Sequence, residues 1–125
     1  MFTTLIQVAL GGAIGASVRY LTNVGAMRLI GPGFPWGTAV VNVVGSFLMG
    51  VLVVVLAERF GNRLAPFLMT GVLGGFTTFS AFSLDAVTMW ERGQTAVAGL
   101  YVIGSVTLSI LALVAGLALA RSLLS

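Results

Sequence analysis

Three groups of polar residues recur at helical spacing inside stretches that are otherwise apolar. Thr38, Asn42 and Ser46 repeat every four residues, as do Tyr101, Ser105 and Ser109, so each trio faces one side of a helix. Between them lies the run Gly71-Val-Leu-Gly-Gly-Phe-Thr-Thr-Phe-Ser-Ala-Phe-Ser83, which crowds glycines, hydroxyls and phenyl rings together. Together they offer hydroxyl donors, one carboxamide and ring edges of partial positive charge, without a full charge. Such a lining suits a small anion. Gly74 and Gly75 followed by Thr77 and Thr78 are poor helix material, so a local break is expected near Gly74–Ser80. A break exposes carbonyl oxygens to a small cation and amide hydrogens to an anion. Each group also has a plainer reading. Asn42 can make an interhelical hydrogen bond, Phe79 and Phe82 can pack as core, and serines can bond the carbonyl one turn back.

What is missing narrows the chemistry. Without cysteine or histidine, disulfides, thiolate metal sites and imidazole acid-base steps are excluded. The acids are Glu58, Asp85 and Glu91, and only Asp85 lies deep in an apolar stretch, where capping or pairing with an arginine is its expected role. Arg19 lies well inside the first stretch, either snorkelling toward the interface or setting a positive potential that draws in anions.

These residues need membrane helices to position them. With 58% hydrophobic and 7% charged residues and a mean hydropathy of +1.12, the chain is read as an integral membrane protein, since soluble domains carry roughly a quarter charged residues. At about 20 apolar residues per crossing it divides into spans of about 4–27, 36–57, 65–90 and 95–120, one four-helix unit with no extramembrane domain. Gly31-Pro-Gly-Phe-Pro35, Glu58-Arg-Phe-Gly-Asn-Arg63 and Glu91-Arg-Gly93 are the turns. The six arginines are scattered rather than clustered, which argues against a nucleic-acid partner. Arg59, Arg63 and Arg121 would share one side of the membrane and Arg28 and Arg92 the other. That balance is too even to fix orientation by the positive-inside rule, so insertion in both orientations with antiparallel pairing is expected. Gly11 with Gly15, Gly71 with Gly75, and Ala112 with Gly116 and Ala120 have the small-xxx-small spacing of membrane helix contacts, within or between subunits.

In order and spacing, Gly11-Gly-Ala-Ile-Gly-Ala-Ser-Val-Arg-Tyr20, Gly37-Thr-Ala-Val-Val-Asn-Val-Val-Gly-Ser-Phe47 and Gly71–Ser83 closely resemble the Fluc (CrcB-type) fluoride channels along the whole chain. The resemblance implies an all-α membrane protein with a broken third helix, assembled as an antiparallel, dual-topology homodimer with two fluoride pores. It implies passive export of cytoplasmic fluoride without catalysis. It also implies a structural sodium ion at the dimer centre, held by the main-chain carbonyls of Gly74 and Thr77. By position, Asn42, Phe79, Phe82, Tyr101, Ser105 and Ser109 would line the pore, Thr38 and Ser83 extend it, and Arg19 sit in the vestibule. The alternatives are a small multidrug-resistance-type proton-coupled exporter, which needs a carboxylate that the first span lacks, and an assembly subunit without transport, which leaves the polar tracks unexplained.

Overall fold

The computed structural model describes all 125 residues, Met1–Ser125, and every regular element is helical. The α-helices are α1 (Phe2–Leu29), α2 (Trp36–Val55), α3 (Gly74–Phe76), α4 (Ser80–Glu91) and α5 (Thr95–Leu124). A π turn at Leu56–Phe60 prolongs α2, while a 3-10 turn at Asn62–Leu64 and a π-helix at Pro66–Leu73 lead into α3. End to end they form four rods long and apolar enough to cross a membrane: Phe2–Leu29, Trp36–Phe60, Asn62–Glu91 and Thr95–Leu124. At 1.5 Å per residue, α1 and α5 are roughly 42–45 Å long, longer than a hydrocarbon core of about 30 Å, so they tilt or reach the headgroups.

The punctuation has clear causes. The three prolines stand in the first connection and at the start of the π-helix, positions where a missing N–H costs nothing. Each connection turns on a glycine at positive φ: Gly31 at 107°, Gly61 at 69° and Gly93 at 84°.

Packing relies on small residues. α1 buries only Gly11 and Gly15, and they lie against the backbone of the π-helix and α3. A Cβ at Gly11 would stand 2.9 Å from the Gly71 Cα, and one at Gly75 would stand 2.7 Å from the Gly12 carbonyl oxygen. The Gly11/Gly15 and Gly71/Gly75 pairs therefore interlock within one chain. α2 and α5 meet similarly, Gly50 against the main chain at Leu113 and Leu117, Gly116 against that at Phe47 and Val51. Two small clusters fill the remaining interior: Phe82, Met89, Ala98 and Tyr101, and Val41, Leu73 and Phe76. Only 19 of 125 residues are buried, so most apolar side chains face outward, as lipid or a second copy requires.

Candidate functional site

The third rod loses helical geometry at its middle. Thr77 is extended, with φ −84° and ψ 158°, and helix resumes at Ser80. Both the amide and the hydroxyl of Thr77 donate to the Leu73 carbonyl, at 3.0 and 2.9 Å. Neighbouring elements then hold the peptides that follow. Asn42, reaching from α2, accepts the Thr78 N–H on Oδ1 at 2.8 Å and donates from Nδ2 to the Thr78 carbonyl at 2.9 Å. Its carboxamide thus acts as a strand partner for one peptide unit, satisfying groups that no helix serves. Ala81 donates to Thr78 Oγ1 at 3.1 Å. Arg19, from α1, donates through Nε to the Gly75 carbonyl at 3.0 Å, a cation at the carbonyl end of a helical segment.

The carbonyls of Gly74, Phe76 and Thr77 take no main-chain donor in this arrangement. In a continuous helix the Thr78 amide would serve the Gly74 oxygen and the Ala81 amide the Thr77 oxygen. Here those amides are bonded to side chains instead, and neither carbonyl takes another main-chain donor. Gly74 is also exposed. Among the acids there is no cluster able to hold a metal, so any resident cation would depend on neutral oxygens such as these.

Beside the interruption runs a groove of about 350 Å³ lined by Asn42, Ser46, Thr77, Thr78, Phe79, Phe82, Ser105 and Ser109. The remaining wall is apolar, and no charged side chain lines it. The Phe79 and Phe82 ring centroids are 5.6 Å apart with planes at 51°. The rings differ in setting, because Phe82 belongs to the buried cluster whereas Phe79 is 76% exposed. Ser105 is buried and lines the groove.

The other residues of the expected path lie outside the groove. Tyr101 is 2% exposed, its ring 5.0 Å from Phe82, and its hydroxyl donates to Asp85 Oδ2 at 3.1 Å. Asp85 therefore has a phenol where a cap or an arginine was expected. Thr38 is buried. Ser83 donates to the Phe79 carbonyl at 3.0 Å, as a serine inside a helix commonly does. Sequence reasoning aligned Ser46 with Asn42 without placing it in the path, and passed over Thr78 as a lining group. Their hydroxyl chemistry was the available signal.

The sequence itself has clear relatives. Residues 6–117 match the family described as CrcB-like protein, Camphor Resistance (CrcB). A protein of Cereibacter sphaeroides named fluoride-specific ion channel FluC is 72% identical over 121 residues, 97% of each chain. Proteins of the same name are 58% identical over 120 residues in Paracoccus denitrificans, 96% of each chain, and 57% identical over 120 residues in Mesorhizobium japonicum, 95% of this chain and 97% of that one.

Proposed function

The chain belongs to the CrcB-like family, and on that premise we propose that it is a fluoride-selective channel of the cell membrane, letting the cytoplasmic anion leave down its electrochemical gradient. The observation that carries this reading is the groove, which gathers a carboxamide, hydroxyls and two phenyl rings at mid-span with no ionised side chain. Fluoride is small and strongly hydrated. Stripping its water takes several donors at close range, yet a fixed full charge would hold it too long, and conduction needs binding that is also easy to leave. Ser105 and Ser109 offer hydroxyl donors, and Asn42 keeps one Nδ2 hydrogen beyond its bond to Thr78. Ring edges of Phe79 and Phe82 add positive partial charge in an apolar wall. Thr38, Tyr101 and Ser83 extend the polar track away from the groove, and Arg19 supplies positive potential at its vestibule.

The groove is open on one side, and the exposed Phe79 is its least supported member, which favours a second copy as the missing wall. In this reading the partner is antiparallel, as the near-even distribution of arginines allows, and each subunit contributes to two pores. The non-helical stretch Thr77–Phe79 serves as a functional break whose released Gly74 and Thr77 carbonyls suit a hard cation. A sodium ion there would supply central positive charge and join the two subunits.

A proton-coupled exporter fits less well. Such proteins use an ionisable group in the membrane path, whereas α1 has no acid and Asp85 is engaged by Tyr101. The deciding experiment is fluoride efflux from liposomes holding the purified protein, followed with a fluoride electrode in the absence of a proton gradient. Efflux well above empty vesicles with little chloride release is expected, and equal chloride release would overturn the assignment.

A further inference from the structure

The aromatic residues of the site do not end at Tyr101. Phe34, in the connection between α1 and α2, lies with its ring centroid 5.3 Å from that of Tyr101 and its plane at 90° to it, an edge-to-face pair. It is half-buried and packs on the Phe82, Met89, Ala98 and Tyr101 cluster. Trp36 follows 4.7 Å beyond. The rings Phe79, Phe82, Tyr101, Phe34 and Trp36 thus touch in sequence from the groove to the loop.

The local chain explains why Phe34 points inward. Gly31, at φ 107°, turns the chain after α1 in a conformation other residues resist. Pro35 restricts Phe34 to extended backbone, and the Trp36 amide closes on the Phe34 carbonyl at 2.8 Å. The first turn of α2 is fixed in turn by Gly37, whose Cα face lies against Asn23 of α1. An interfacial phenyl ring would ordinarily lie in the headgroup layer, as the more exposed Trp36 does. Phe34 instead leans on the one tyrosine ring whose hydroxyl is committed to Asp85.

We propose that Phe34 is a positioning residue for the channel: its ring holds Tyr101 in the orientation that keeps the hydroxyl on Asp85 and in line with Ser105 and Ser109. The inference rests on the fluoride reading, to which it adds a residue outside the polar track and outside the groove. Tyr101 is gripped from two sides, by Phe82 within the membrane and by Phe34 from the loop. Removing the loop ring frees the phenol to leave Asp85 while the helices stay packed.

The test is fluoride efflux from liposomes by wild type, Phe34→Leu, Phe34→Tyr, Tyr101→Phe and the double variant Phe34→Leu/Tyr101→Phe, each checked for helix content and assembly in detergent. Loss of an edge-to-face pair should lower flux by about three- to tenfold in Phe34→Leu. Phe34→Tyr, which keeps the ring, should restore flux. In the Tyr101→Phe background the added Phe34→Leu should cost nothing further, since it acts through the hydroxyl already removed. Wild-type flux in Phe34→Leu, a full additional loss in the double variant, or loss of folding in Phe34→Leu would each overturn the proposal and leave Phe34 as loop packing. Absence of flux in the wild type would instead overturn the fluoride reading.

Discussion

Phe79 and Phe82 are three residues apart and touch each other, yet their surroundings separate what each can be asked. Phe82 supports the interior beside Tyr101, so Phe82→Ile should lower flux and also destabilise the subunit, by roughly 1 kcal/mol or more for reshaped core packing. Phe79 is exposed on the single chain, so Phe79→Ile should lower flux while leaving the helix content of the detergent-solubilised protein unchanged. Flux equal to wild type in both would return the rings to a packing role. Arg19 presents a comparable choice between potential and structure. Its Nε caps the Gly75 carbonyl in a partly buried place, so Arg19→Met should cost about 1–3 kcal/mol by leaving that oxygen unpaired, read as a lowered melting temperature. An unchanged melting temperature would make the hydrogen bond immaterial and leave only the charge.

At the scale of elements, the glycines where α1 meets the third rod divide by what lies opposite them. A Cβ on Gly75 would strike the Gly12 carbonyl oxygen, whereas one on Gly12 would meet nothing within 4 Å. Gly75→Ala should therefore destabilise the subunit by about 1–3 kcal/mol, and Gly12→Ala should be tolerated, a contrast that thermal unfolding in detergent would expose. Equal effects would mean that the two rods do not meet as described. The small-residue spacing was legible in the sequence and so were the four membrane helices, because apolar length and loop punctuation are local properties. The π-helix was not legible, since Pro66-Phe-Leu-Met-Thr-Gly-Val-Leu73 has no composition that distinguishes i→i+5 from i→i+4 bonding. Asn42 illustrates the same limit. Its spacing with Thr38 and Ser46 assigned it a face, but only the fold brings the Thr78 peptide to its carboxamide from 36 residues away. Phe34 lay in a stretch readable merely as a turn, and its contact with Tyr101 depends on how α5 packs beside α2.

For the whole molecule, the reading requires two copies in opposite orientations. Single cysteines placed in the connections at Gly33 and Asn62, on opposite sides of the membrane, should each be labelled from both faces of intact vesicles. Labelling from one face alone would exclude antiparallel pairing. If Gly74 and Thr77 carbonyls hold sodium between subunits, replacing sodium by a bulky organic cation should lower the dimer fraction on size exclusion, and indifference to the exchange would remove the ion from the design. A pore at the groove also places demands on the opposite wall. Main chain set against main chain at Gly11, Gly15 and Gly75 leaves no room for water or mobile side chains between α1 and the third rod. If the groove is the pore, that seam acts as electrical insulation, denying ions a second route along the back of the protein.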